Sequence, residues 1–379
     1  MQRILAALVV FGFTSAFAQQ PAPPPVQPPG VISPEIHSDR RVTFRFHAPA
    51  AKEVMLARTG VNRAAMQKGA DGTWTLTTEA LAPDVYSYRF VVDGVSVMDP
   101  MNSEIVPNLL NPQSFVHVPG DNMPWDVANV PRGTLHRHFY RSGIVGDDRD
   151  YYVYTPPGYD PTAKKTYPVF YLLHGFSDDA SGWTAVGRAH VILDNLIAQG
   201  KAQPMLIVMT LGYGAPEIVS PAAQGLRDPN VRQRSFERFR DSLLQEVIPR
   251  VEKEYRASKD RTARAIGGLS MGGAESLYVG LNATDRFAYI GAFSSGGLGN
   301  DMTAQFPKLG ASVNDDLRLL YISCGTEDRL IDANRKFVEF FKSKGVNATL
   351  RETGGAHTWM VWRRNLADFL PLLFQKKTS

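Results

Sequence analysis

The stretch Arg264–Leu281, RAIGGLSMGGAESLYVGL, sets one serine between glycines as Gly268-Leu269-Ser270-Met271-Gly272. The segment Thr262–Gly267 before it reads as a strand, and AESLYVGL after it favours helix. A strand that turns sharply into a helix projects a side-chain oxygen from the end of a sheet, and small flanking residues let the two elements cross closely. The spacing therefore predicts Ser270 as a nucleophile on a strand–helix turn. A serine hydroxyl needs a base beside it, and the base needs an orienting acid. His357, in the Gly-rich segment ETGGAHTW, is the only histidine after Ser270 and so the only base candidate on that side. Glu327, Asp328 and Asp332 cluster behind the apolar run LRLLYIS. Asp328 is preferred because it falls on the loop at the carboxyl end of that run, where open α/β sheets carry functional groups. Asp332 better complements the first turn of the next helix, and Glu327 stays an alternative.

Working outward, the surrounding segments alternate. RDYYVYTPPGY, YPVFYLLHG, MLIVMTLGYG, YIGAFSSGG and NATLRET read as strands, several of them apolar throughout and suited to burial on both faces. AHVILDNLIAQG, SFERFRDSLLQEVIPRVEKEY, IDANRKFVEFFKSKG and a closing run from Val361 read as helices. The pattern implies an α/β fold over residues 133–379, a mostly parallel sheet with helices on both faces, of the α/β-hydrolase type. In such a fold one oxyanion donor is the backbone N–H after the nucleophile, Met271, and the other comes from the loop after an early strand, here Phe176 in YLLHGFSDD. His174 reads as a structural histidine beneath that loop. Trp183, Tyr213 and Trp359 are candidates for an aromatic substrate pocket, and each suits a core position equally. The Gly- and Pro-rich stretch GAPEIVSPAAQGLRDPN reads as a loop over the site.

The N-terminal third differs. Residues 1–18 carry Arg3, an apolar run Ile4–Phe13 and the small-residue pattern Ala16-Phe17-Ala18, the layout of a cleaved signal peptide. The apolar run is too short to span a bilayer, so the expectation is an exported protein, periplasmic or secreted, with no membrane association after cleavage. Residues 19–34 read as a Pro-rich tether. Residues 35–120 show short alternating runs (RVTFRFHAP, EVMLAR, TWTLTTE, VYSYRFVVDG) with Asp71-Gly72 and Asp93-Gly94 as turns, which implies a small all-β immunoglobulin-like sandwich. Trp74, Tyr86 and Tyr88 fit either a sugar-stacking face or its core. A net charge of +4 without a dense basic block argues against nucleic acid, and the lone Cys324 excludes an intramolecular disulfide.

With these residues assembled, the chain from Gly133 to Phe374 resembles carbohydrate esterase family 1, the feruloyl and acetylxylan esterases, and its esterase D-like relatives. The likeness rests on YVYTPPGYD, YPVFYLLHG, LDNLIAQGKAQPMLIVM, GGLSMGG, CGTEDRLID and GGAHTWMVWRRNL. Arg132 departs from it, standing where relatives commonly have His. DGTWTL, YSYRFVVDG and MDPMN resemble the immunoglobulin-like modules of carbohydrate-binding module family 48. The resemblance implies a triad on Ser270, Asp328 and His357, an acylated polysaccharide or feruloyl oligosaccharide as substrate, and no metal or cofactor. Alternatives in the same superfamily are a ferric-siderophore trilactone esterase, for which Arg227, Arg232 and Arg234 would supply charge, and a mycolyltransferase. From another class comes a non-catalytic carbohydrate-binding protein.

Overall fold

The structure, a computed structural model, describes residues 30–220, 225–299 and 301–375. The signal-peptide reading and most of the tether lie outside these residues. Residues 31–34, read as the end of the tether, pack on the first β region instead. Ser33 is buried and its hydroxyl donates to Asp99 Oδ2 at 2.6 Å.

That region is built from β1 (Glu35–Ile36), β2 (Val42–His47), β3 (Val54–Arg58), β4 (Ala64–Ala65), β5 (Gln67–Lys68), β6 (Thr73–Thr77), β7 (Asp84–Val92), β8 (Val95–Val97), β9 (Ile105–Val106) and β10 (Gln113–Val118). They form two antiparallel sheets, β1-β2-β6-β5 and β4-β3-β7-β10-β9, with β8 added beside β7. Alternation decides which side chains meet between them. Phe44 and Phe46 of β2 face Tyr88 and Phe90 of β7, with ring centroids 4.6 and 4.9 Å apart. Asp93 and Gly94 both take positive φ, 46° and 88°, and close the β7–β8 hairpin as the Asp-Gly pair predicts. Trp74, Tyr86 and Tyr88 are all buried in this core, which removes the sugar-stacking face read from sequence.

The remainder is one eight-stranded sheet. Its strands are β11 (Thr134–Arg141), β12 (Asp148–Thr155), β13 (Val169–Leu173), β14 (Leu206–Thr210), β15 (Arg264–Leu269), β16 (Tyr289–Phe293), β17 (Leu319–Gly325) and β18 (Thr349–Thr353), in the order β11-β12-β14-β13-β15-β16-β17-β18. From β14 to β18 neighbours run parallel, while β11 and β12 pair antiparallel at one edge. Strands β13 to β16 are buried at every position, as their largely apolar sequences suit. Helices Met271–Asn282 and Ile331–Ser343 pack on one face, Ala189–Ala198 and Trp359–Phe369 on the other. The chain leaves β13 for β14 on one side and returns to β15 on the other. A crevice therefore opens at the carboxyl ends of β13 and β15, the usual ligand position in such sheets.

The two β systems are not separate bodies. Val85, Phe115 and Trp125 join Trp183, Trp359 and Trp362 in one buried apolar cluster. Beside it Arg363, fully buried, donates to Asp84 Oδ1 (2.5 Å) and to the carbonyls of Val85 and Val186 (2.8 and 2.9 Å). Arg364 reaches the other oxygen of Asp84 at 2.8 Å.

Candidate active site

Ser270 caps the helix Met271–Asn282 with φ 52° and ψ −115°, a conformation that a side chain rarely adopts. Its N–H donates to Phe293 O at 2.8 Å and its carbonyl accepts from Gly296 N–H at 3.1 Å, so flanking backbone holds the strained residue in place. The glycines around it are sterically required. A Cβ on Gly272 would fall 2.3 Å from His174 O, and one on Gly268 would fall 2.6 Å from Leu173 O.

Three loops at the carboxyl ends of the strands converge on this serine. His357, on the loop after β18, has Nε2 3.0 Å from Ser270 Oγ. Its Nδ1 lies 2.7 Å from Asp328 Oδ2, on the loop after β17. A carboxylate only accepts, so Nδ1 carries the proton and Nε2 is free to take one from the serine. Asp328 is almost fully buried, and Leu330 N–H donates to its Oδ1 at 2.9 Å. Burial pushes its carboxyl up, but the hydrogen bonds from His357 and Leu330 outweigh that and hold it below its ordinary value. The charged acid beside the imidazole is thereby secured. Trp362 stands edge-on to the His357 ring at 4.9 Å and limits how it can turn.

The loop after β13 supplies the opposite wall. A Cβ on Gly175 would fall 2.5 Å from Leu269 Cδ1, so this glycine lets the loop lie against the elbow. Phe176 and Met271 line the same cavity as Ser270 and His357. Met271 begins its helix, so its N–H has no intrahelical acceptor. His174 is buried beneath the loop. It donates from Nδ1 to Gly175 O (2.8 Å) and accepts Gly212 N–H at Nε2 (2.9 Å), and burial pushes its pKa down to about 4. It is a neutral spacer between two loops, as its sequence position suggests.

The cavity has a volume of about 410 Å³. Of the three aromatic candidates, only Trp359 lines it. Trp183 is buried behind Trp359, edge-on at 5.1 Å, with its indole N–H given to Leu173 O. Tyr213 is buried too and donates to Asp178 O at 2.7 Å. Both aromatics brace the walls from behind, because each has a polar tip that a carbonyl at the loop base satisfies. The described residues of the stretch 214–230 do not line the cavity. In its place come residues of the β sandwich, Thr59, Ser87, Val106, Asn108, Asn111 and Gln113, together with Trp362. No sequence motif marks these sandwich positions. Only the docking of the two β systems brings them to Ser270.

The chain is similar in fold to a CE1 ferulic acid esterase from Anaeromyces mucronatus in complex with ferulic acid, with TM-score 0.59 and 24% identity, covering 67% of this chain and 96% of that one. It is also similar in fold to the enterobactin esterase of Shigella flexneri, with TM-score 0.64 and 21% identity, covering 87% of this chain and 92% of that one. An endo-1,4-beta-xylanase/feruloyl esterase of Xylanibacter ruminicola is 29% identical over 362 residues, 93% of this chain. The alignment covers 47% of that relative, so the chain spans about half its length. Residues 142–373 match the family described as "Putative esterase". That match takes in the strained serine, both of its partners and the loop after β13, and the chain belongs to this esterase family.

Proposed function

We propose that the protein is an exported serine carboxylesterase that hydrolyses feruloyl or acetyl esters of plant cell-wall polysaccharide through an acyl-enzyme. The hydrogen-bonded series Ser270–His357–Asp328 at the floor of an indole-walled cavity carries this reading. His357 Nε2 takes the hydroxyl proton as Ser270 Oγ attacks the ester carbonyl. Phe176 and Met271 N–H groups receive the oxyanion, one such donor being worth roughly 3–4 kcal/mol in the transition state. The bond to the alcohol then breaks and His357 returns the proton to the departing oxygen. Water repeats the sequence on the acyl-enzyme and frees the acid. Asp328 orients the imidazole and stabilises its cation. Trp359 offers a flat apolar surface to an aromatic acyl group.

The relatives named for feruloyl esterase support this substrate class. The likeness to the enterobactin esterase supports a second reading, a trilactone siderophore as substrate. An anionic ligand of that kind calls for clustered cations, whereas Arg329 is the only Lys or Arg among the described lining residues. Of the arginines read from sequence, Arg234 is paired with Glu217. The cavity therefore favours a neutral ester. In this reading residues 1–18 are the export signal, and the sandwich is an immunoglobulin-like module akin to carbohydrate-binding module family 48.

The test is release of ferulate from feruloylated arabinoxylan and of acetate from acetylated xylan, by the wild type and by Ser270→Ala. Ferulate or acetate released by the wild type alone is the expected result. Equal release by both proteins would remove the triad mechanism. Cleavage of 4-nitrophenyl acetate without either product would move the siderophore reading ahead.

A further inference from the structure

The sandwich loop at Asn108 is tied to the loop that carries Phe176. Leu109 N–H donates to Ser177 O at 2.6 Å. Asn108 Nδ2 lies 2.9 Å from Ser177 Oγ and 3.1 Å from Asp178 Oδ1. The other end of the same amide faces its own loop: Asn108 Oδ1 accepts the N–H groups of Leu110 (3.1 Å) and Asn111 (2.8 Å). Backbone N–H groups can only donate, so the amide oxygen must face them and the NH2 must face Ser177 and Asp178. Ser177 itself sits at φ 66°, in the left-handed region that a non-glycine residue occupies only at a conformational cost. The residue after Phe176 is thus held in a strained conformation by bonds from another domain. Asp178, which forms the next turn of this loop, is buried within the cavity wall.

We infer that Asn108 is a positioning residue for ester hydrolysis: its amide clasps Ser177 and Asp178 and thereby aims the Phe176 N–H at the oxyanion, so that the two domains share one active site. The inference rests on the reading of Phe176 as an oxyanion donor. The sandwich then acts on the chemical step as well as on substrate binding. Donor placement matters at this level because a misplacement of about 1 Å can lower a rate by about 10²-fold.

The test uses the full chain with 4-nitrophenyl acetate as substrate and phenylboronic acid as a tetrahedral mimic of the intermediate. Asn108→Ala removes both ends of the clasp. Asn108→Asp keeps the acceptor for Leu110 and Asn111 and removes the donor. Both variants should lower kcat by about 10-fold or more with KM changed by less than about 3-fold, and should weaken boronate inhibition by a factor matching the loss in kcat. Wild-type kcat and boronate inhibition in either folded variant, alongside an inactive Ser270→Ala, would overturn the positioning role alone. An active Ser270→Ala would overturn the triad and this role with it. If neither Asn108 variant shows a cooperative unfolding transition, the residue is structural and the inference falls.

Discussion

Ser270 and His357 stand out in sequence because each is a chemically scarce choice, a serine between glycines and the last histidine, whereas Asp328 is only preferred among three clustered acids. In the folded chain Ser270 Oγ lies 3.0 Å from His357 Nε2, and His357 Nδ1 lies 2.7 Å from Asp328 Oδ2. The aromatic residues are a different case. Trp183, Tyr213 and Trp359 look alike in sequence, but two of them are buried behind the cavity and one faces it, a difference of packing alone. Asp178 also escaped sequence reading. Burial pushes its carboxyl up to about 7 from an ordinary 3.8, with Asp179 adding to the rise and the hydrogen bonds from Asn108 and Gly175 opposing it. The folded protein therefore keeps a proton between about pH 4 and 7 that the unfolded chain has released, so stability falls as pH rises through that window and levels off above it. Asp178→Asn removes this term. Urea titrations at pH 4.5 and pH 8 should show the variant gaining on the wild type at the higher pH. A stability difference that does not change with pH would mean that the carboxyl is not buried as described.

At the level of elements, the site exists because β13 and β15 are neighbours whose exits lead to opposite sides of the sheet. The elbow after β15 can approach the loop after β13 only where side chains are missing, and a Cβ on Gly272 would fall only 2.3 Å from His174 O. Gly272→Ala should force helix and loop apart, with a loss of about 1–3 kcal/mol in stability and a larger relative loss in kcat, since the displaced loop carries Phe176. Denaturant titration and turnover of 4-nitrophenyl acetate measure the two, and an unperturbed kcat would contradict the close contact. Most of these elements were legible. The apolar runs of β13 to β16 and the amphipathic helices fall where their periodicity puts them, and the hairpin at Asp93-Gly94 forms on its turn signal. The edge strand β11 was not legible. Its residues TLHRHFYR carry neither a continuous apolar run nor a clean alternation, because little of an edge strand needs burial.

Across the whole molecule, the sandwich and the α/β region are joined by one apolar cluster and by a buried ionic contact at Asp84. Asp84 is fully buried and answers two guanidiniums, of which Arg363 is fully buried as well. Removing the acid strands a buried cation, a change that costs about 3–5 kcal/mol. Asp84→Ala should therefore lower the unfolding free energy of the full chain by that amount and, because the helix Trp359–Phe369 carries both arginines and Trp359, should depress activity in the fraction that stays folded. A variant as stable as the wild type in urea would show that the two domains dock without this contact. From sequence alone came the all-β and α/β character of the two regions, the candidate nucleophile and base, a preference among three acids and the elbow glycines, since these depend on local periodicity, local sterics and the short supply of suitable residues. Tertiary structure alone decided which aromatic faces the cavity, that Trp74, Tyr86 and Tyr88 are core, and that Asn108 and its neighbours stand beside Ser270. Those outcomes depend on how two hydrophobic surfaces far apart in the chain dock, and no local pattern encodes the match between two surfaces.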